Sequence, residues 1–373
     1  MGSKEVINGA GKTYAKSTGV QDGLHVPSRI FINVTEDLGG GTKFKFQNEH
    51  GISPTNTADW STRQFNGAPT SVGIDKTAAT TDTEIAMNGF QSTQTNRGTF
   101  VALENTGMGE IRAGYLVSHF YNLVAQSGYF LGSENYGALL QNHGMAAQGS
   151  TRGNGLQYIS PKVGDFTFGL QKRYGAERTI TADSVDAPYT TNKAETMSYR
   201  VDYANGPLTA GYVYATFNGV VAAQAKVPSS SVFGVAGTAP VPNDVNNTAD
   251  NKASALNAAY TMGAWKAVAQ INSATVNNTL DTDRKFKSSQ YGLQYTTGAV
   301  TVFGITGSGD VKKNDGTKVN DVKNTQYGVK YALSKRTTAY VMAGKSEDKA
   351  IAASDTTRAK EASFSGFGLS HAF

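Results

Sequence analysis

The residues of this chain best placed to do chemistry are arginines and lysines set among alternating apolar residues. Arg29 precedes Ile30, Ile32 and Val34; Lys43 and Lys45 interleave with Phe44 and Phe46; Glu110 and Arg112 interleave with Ile111, Ala113 and Tyr115. Residues two apart share one face of a strand, so each series sets its charges opposite its apolar side chains. On the same reasoning Phe100 and Ala102 share the apolar face, which turns Arg97 toward the charged one. A surface lined in this way attracts and steers anions.

Other reactive constellations are weaker. Gly9, Gly11, Lys12 and Thr13 resemble the end of a phosphate-binding loop, but Val6 stands where the motif needs its first glycine. The five histidines lack metal-ligand spacing, and His371 reads as an outward residue near a membrane boundary. Asp244, Asp281 and Asp283 could hold calcium only adventitiously, and solvation explains them better. Glu110 with Arg112 could in principle be a catalytic pair, yet a charge lining a wet surface explains it without further assumptions. No enzyme, resident metal or cofactor is expected.

The composition fits a large polar-lined sheet. Of 373 residues 39% are hydrophobic, with 42 Gly, 18 Tyr and 17 Phe. No stretch approaches the roughly 20 apolar residues of a spanning helix. A mean hydropathy of -0.36 does not exclude a membrane, because spanning strands alternate lipid-facing with polar residues. There is no cysteine, so disulfides and thiolate sites are absent. The net charge is +5, but the basic residues are scattered rather than clustered, which argues against nucleic acid. The N-terminus lacks a basic segment leading into an apolar one, and Met1, Gly2 and Ser3 read as a replacement start on a mature sequence.

Turn residues divide the chain into hairpins. Short turns fall at Asp37 to Gly41, Asn105 to Gly109, Ser160 to Gly164, Asn205 to Pro207, Met262 to Ala264, Thr297 to Ala299 and Leu333 to Arg336. Between them lie long polar stretches, including 50–92, 118–150, 175–195, 219–250, 274–285, 309–322 and 345–360, none with a sustained helical period. Seven short turns and eight long loops connect sixteen strands, the first within Glu5 to Lys16. Several strands alternate cleanly: Met197, Tyr199, Val201 and Tyr203 oppose Ser198, Arg200 and Asp202; Tyr291, Leu293 and Tyr295 oppose Gln290, Gly292 and Gln294; Tyr327, Val329 and Tyr331 oppose Gln326, Gly328 and Lys330. The last strand sets Phe367, Leu369, His371 and Phe373 against Gly366, Gly368 and Ser370. Short turns at one rim, long loops at the other and aromatic residues at strand ends describe a transmembrane barrel. A soluble β-sandwich also alternates, but it seldom carries so many tyrosines or such long loops.

The segment Ser28 to Gln47, with its Glu36, Asp37, Leu38, Gly39 turn, resembles the second and third strands of Gram-negative outer-membrane general porins. Asn96 to Glu104 followed by Met108 to Gly114 resembles the fourth and fifth strands, and the ending at Phe373 resembles the family's C-terminal assembly signal. The pattern looks most like the trimeric porins of β-proteobacteria. The resemblance implies one all-β domain over 1–373: a 16-stranded antiparallel transmembrane β-barrel with short periplasmic turns, long extracellular loops and an inward-folded third loop. It places Arg29, Arg97 and Arg152 in a basic cluster at the pore constriction; Arg112, Lys43 and Lys45 join them from alternation alone. Arg152 shares the parity of Leu156 and Tyr158, so it needs a bulge or a place on the loop rim. The constriction loop falls at about 118–150 and contains Tyr129, Phe130, Tyr136 and the acidic Glu134; its aromatics could instead pack as an extracellular lid.

The expected function is passive diffusion of small hydrophilic solutes through a water-filled, anion-preferring channel in the outer membrane. The resemblance also implies a homotrimer that meets lipopolysaccharide and outer-membrane lipid, and recognition of the last strand by the barrel-assembly machinery. A substrate-specific porin for an anionic nutrient such as an organic acid is the alternative. A soluble β-rich binding protein or adhesin is the reading from another class.

Overall fold

The structure is a computed structural model, and it describes residues 1–20, 25, 28–51, 98–128, 152–174, 178–180, 190–192, 195–218, 251–276, 284–356 and 359–373. The strands before the single described helix are β1 (Gly2–Asn8), β2 (Thr13–Gly19), β3 (Arg29–Gly39), β4 (Thr42–Gly51), β5 (Gly98–Asn105) and β6 (Gly109–Val117). Helix α1 (His119–Gly128) follows, then β7 (Arg152–Ile159), β8 (Phe166–Tyr174), the small hairpin β9 (Arg178–Ile180) and β10 (Thr190–Asn192), and β11 (Glu195–Asn205). The remainder are β12 (Leu208–Asn218), β13 (Asn251–Met262), β14 (Trp265–Val276), β15 (Arg284–Thr297), β16 (Val300–Lys313), β17 (Lys318–Ala332), β18 (Thr337–Asp348) and β19 (Ala359–His371).

Apart from β9 and β10, these strands form one 17-stranded antiparallel sheet. Pairing runs from β3 through β8, on to β11, and through β12 to β19. It continues from β19 to β1 and from β1 to β2. The last strand therefore lies beside the first, with Gly2 opposite Gly366 and Glu5 opposite Ser363, as the alternation of the C-terminus requires.

All seven short turns lie where the sequence sets them. Gly263 and Gly298 each open a two-residue turn at φ 56°, a backbone region that a residue with a Cβ adopts only with strain. The strand count differs from sixteen because the N-terminal region folds as a hairpin. Its turn passes through Gly11 at φ 74°, the segment that superficially resembles a phosphate loop. The expected long loop over 309–322 is another difference. β16 and β17 are 14 and 15 residues long and meet in a tight turn at 314–317, with Gly316 at φ 86°. Such strands exceed the roughly 9–11 residues that a bilayer requires, so this part of the wall extends past the apolar band on its loop side.

Alternation sorts the faces as expected on most strands. Tyr291, Leu293 and Tyr295 are 52%, 49% and 37% exposed, whereas Gln290 and Gln326 are buried. Ile30, Ile32, Val34 and Ile111 are exposed apolar side chains, and Phe367 and Leu369 continue that face to the C-terminus. Strand β5 departs from the expectation. Ala102 stands opposite both Lys45 and Arg112, while Val101 and Leu103 take the exposed face. Phe100 and Ala102 thus lie on the charged face, and the Phe100 ring packs 4.9 Å from the Arg112 guanidinium carbon. The parity argument for Arg97 loses its premise, and Arg97 itself lies outside the described residues.

A continuous exposed apolar face on paired strands is stable in lipid and unstable in water. Leu293→Arg on that face therefore costs about 2–4 kcal/mol of stability in lipid, and Gln294→Arg on the opposite face costs little. Urea unfolding in vesicles checks this, and equal losses would contradict the face assignment.

Candidate functional site

Two groups of residues build the charged face into a site. The first is a line of ion pairs on β3 to β7. Arg29 meets Glu49 at 3.3 Å, and Glu49 is buried. Lys45 reaches both Glu104 at 2.8 Å and Glu110 at 2.9 Å. Arg112 also pairs with Glu110, and its Nη1 donates to Gln157 Oε1 at 3.3 Å. On β11, Arg200 grips Asp202 with two donors, each at 2.7 Å. These pairs hold long basic side chains in fixed directions along the face.

The second group seats helix α1 on the same face, at the root of the 118–150 connection. No sustained helical period shows in the sequence of that connection, because a ten-residue helix is too short to establish one. The Ser118 hydroxyl accepts the Tyr121 amide at 3.0 Å, capping the first turn. Gln171 on β8 clamps the entry: its Oε1 accepts the His119 amide at 3.1 Å, and its Nε2 donates to the Val117 carbonyl at 2.9 Å. His119 Nδ1 lies 3.4 Å from the Ser198 hydroxyl, and the imidazole rests over Gly169, where a Cβ would come within 2.9 Å of the ring.

One turn on, Leu123 is fully buried in a patch made by Val213, Ala215, Ala253, Ala255, Ala274 and Phe286, with Phe120 packed beside it. Asn257 donates to the Leu123 carbonyl at 2.8 Å. Gly211 leaves the space beneath: a Cβ there would sit 2.3 Å from Leu123 Cδ1. Strand register places the two groups on one row. Lys45, Ala102, Arg112, Gln157, Gln171, Ser198, Ala215, Ala253 and Ala274 succeed one another across the sheet.

The residues expected in a basic cluster are distributed along this face. Lys45 and Arg112 share Glu110, Arg29 on β3 pairs with Glu49 farther along β4, and Lys43 stands between Asp37 and Glu104 in register. Position 152 pairs with Val117 on the parity of Leu156 and Tyr158, and the β6–β7 ladder has no bulge to turn it. Tyr129, Phe130, Glu134 and Tyr136 lie outside the described residues. Arg173, buried on β8, and His119 were missed. The run of Gly211, Val213, Ala215, Ala253 and Ala255 on an otherwise polar parity was the signal that something packs there.

A charged face and an apolar face on one antiparallel sheet, with a helix bound to the charged side, define the outer-membrane channel class. The profile of the Gram-negative porin family matches residues 2–351, and the chain belongs to that family, whose members reside in the outer membrane. The fold is similar to the anion-selective porin from Comamonas acidovorans, with 22% identity, a TM-score of 0.65 and coverage of 100% of this chain and 98% of that one. It is also similar to in-vitro folded OmpT of Vibrio cholerae in its trimer form (11% identity, TM-score 0.57, 99% and 96% covered). OmpF of Salmonella typhi, in complex with daunomycin, shows a comparable match at 13% identity, TM-score 0.57 and coverage of 99% and 96%. No curated protein sequence matches the chain.

Burial, with Arg200 and Arg112 nearby, holds the His119 imidazole down to about 3 from an ordinary 6.5. The seated helix therefore favours neutral His119. Its stability is complete above about pH 6.5 and declines below that value, because the released imidazole takes up a proton that the seated one refuses. Hydrogen exchange at Asn122, whose amide bonds to Ser118, should lose protection between pH 7 and pH 4 after correction for intrinsic rates. Protection unchanged over that range would contradict the assignment.

Proposed function

We propose that the sheet closes into a single barrel and that its charged face lines a water-filled channel for passive diffusion of small hydrophilic solutes. The observation that carries this reading is α1, which is seated on the charged face at the start of the third long connection. A helix with an apolar seat there narrows any passage bounded by that face, so size and wall charge select what crosses. The reading needs no cofactor. It assigns the rest of the constriction to the connection that carries Tyr129, Phe130, Glu134 and Tyr136. Trimeric assembly, contact with lipopolysaccharide and recognition of the Phe373 end by the assembly machinery belong to the same proposal, supported by family membership and by the trimer form of OmpT.

Anion preference is the second part of the proposal. The carboxylates Glu49, Glu104, Glu110 and Asp202 are each held by a cation, and Lys43, Arg173 and Lys330 bring further positive charge to the same face. The similar Comamonas acidovorans porin is itself anion-selective. Exposed Lys43 and half-buried Arg112 offer an approaching anion charge-assisted hydrogen bonds. A binding track for one anionic nutrient is the alternative, favoured by the Arg29 and Arg112 guanidiniums that lie over Phe31 and Phe100 at 5.6 and 4.9 Å. Saturable block of current by one solute would distinguish that track from a general pore.

In planar bilayers under a salt gradient, the reversal potential should have the sign of anion preference. Replacing Lys43, Lys45 and Arg112 by Gln should shift it toward cations. A cation-selective wild type, or no shift in the triple variant, would overturn the proposal.

A further inference from the structure

A compact group of polar side chains stands on the charged face, well away from the ion pairs of β3 to β7 and from the helix seat. Lys330 on β17 lies close to the turn at Leu333 to Arg336, and its register partners are Thr301 on β16 and Tyr340 on β18. Its ammonium rests over the Phe303 ring, 5.1 Å from the centroid. Tyr340 stands opposite Gly368, where a Cβ would collide with the phenol oxygen, so the glycine lets that ring lie along the wall. His25, from the connection between β2 and β3, sets its imidazole against the same ring, with centroids 5.4 Å apart and planes at 47°. A cation, a phenol and an imidazole thus meet on one patch of the charged face.

Two observations suit this patch to an anion. His25 Nδ1 is buried and has no hydrogen-bond partner among the described residues. A buried polar atom is costly to leave in that condition, and a ligand that pairs with it removes the cost. The second observation is the charge of the surroundings. Among the described residues, the positions of β13 to β17 on this face carry no aspartate or glutamate. Thr301 and Phe303 on β16, with Gly366 and Gly368 on β19, bring no charge beside the group. Burial, with the Lys330 charge nearby, holds the His25 imidazole down to about 3 from an ordinary 6.5. The line on β3 to β7 differs, because Arg29, Lys45 and Arg112 each face a carboxylate there.

We propose that Lys330, His25 and Tyr340 bind an oxyanion, the carboxylate or phosphate group of a solute, and that His25 takes up a proton as the anion binds. The inference rests on the channel reading, which gives solutes access to this face, and deepens it with a second anion site near the short-turn end. Lys330 supplies a full positive charge and Tyr340 an O–H donor, and an oxyanion between them can accept from both. Its negative charge beside the imidazole favours the imidazolium, so Nδ1 becomes a third donor to the same anion. Several oxygens let one anion meet donors that come from different parts of the chain. The proton comes from solvent and stays on the ring until the anion leaves. Linkage fixes the sign: the bound anion raises the pH at which His25 protonates, so affinity for an anion of constant charge rises as pH falls from 7 toward 5.

The test uses the full chain refolded in detergent with isotope-labelled histidine, and sulfate as the probe because its charge is constant between pH 5 and pH 7. The chain has five histidines, and His25→Asn identifies the His25 signal by its loss. Sulfate should move that signal, raise the pH at which His25 protonates, and bind more tightly at pH 5 than at pH 7. Lys330→Gln should weaken the sulfate affinity read at His25 at least about tenfold. Lys335→Gln, at the neighbouring turn, should match wild type. Acetate and methyl phosphate are then added in competition, and the stronger competitor names the solute class. Competition by neither, or an equal effect of chloride at matched ionic strength, would overturn the inference. So would a His25 signal indifferent to sulfate, or equal affinity in Lys330→Gln and wild type. Heat-modifiable migration reports folding, and Tyr340→Phe, which should also weaken binding, takes the place of Lys330→Gln if that variant does not fold. Planar-bilayer conductance in chloride is read separately. Its absence in the wild type refutes the channel reading whatever sulfate does, and its presence with sulfate affinity unchanged in Lys330→Gln refutes only this site.

Discussion

Lateral pairing of backbone donors and acceptors is the constraint on which the sheet depends: every strand from β4 round to β1 in pairing order has a partner on both sides, and the chain's two ends pair with each other. In lipid an unpaired backbone amide or carbonyl has no water to replace its partner, so a spanning sheet can leave no edge there. That constraint explains why β1 lies against β19, although 351 positions separate Asn8 from Ala359 in the sequence. It also explains why the short turns are so uniform: Asn205 to Pro207, Met262 to Ala264 and Thr297 to Ala299 return each strand at once to pair with the one before. Once the backbone is paired laterally, side chains have two faces to choose between, and one of them meets lipid. The apolar band through Tyr199, Tyr212, Leu256, Ile271 and Leu293 follows from that choice.

The other face is free to be polar, and its interruption by small residues shapes the molecule. Gly211, Val213, Ala215, Ala253, Ala255 and Ala274 would leave a shallow dent if nothing covered them. Leu123 and Phe120 fill it, and burying two large apolar side chains removes their surface from water at roughly 25 cal/mol per Å². Hydrogen bonds then fix the helix's position rather than its affinity: Gln171 at the entry and Asn257 one turn later admit one register only. The same row of the sheet carries Lys45 and Arg112, so the seat of the helix and the basic side chains are held by one rigid element.

Much of this was legible in sequence. Period-two alternation with Tyr and Phe in β11, β15 and β17 identified both faces, and glycine, proline and asparagine marked six of the seven short turns, the seventh, Leu333 to Arg336, showing as a break of polar residues. Errors arose where the local pattern was ambiguous. In β5, Phe100 to Leu103 is apolar on both parities, so alternation cannot choose a face; the register with Lys45 and Arg112 does. β16 and β17 read as a loop near 309–322 because their outward residues above the membrane are charged, and charged alternation looks like a polar turn. Helix α1 escaped notice because its stability comes from the seat and from Gln171, which is distant in sequence. Gly9 to Lys12 reads as part of one strand until Gly11's positive φ splits it. The family itself was legible from the Glu36 to Gly39 turn and the Phe373 ending.

The central claim is that neighbouring residues of one strand face two different solvents. The chain has no cysteine, so single cysteines can be introduced without background. Cysteines at 290 to 295 in β15, placed one at a time in protein reconstituted into vesicles, can be treated with a water-soluble thiol reagent. The account predicts fast labelling at 290, 292 and 294 and slow labelling at 291, 293 and 295, with the rates alternating along the strand. Equal rates at odd and even positions would contradict it.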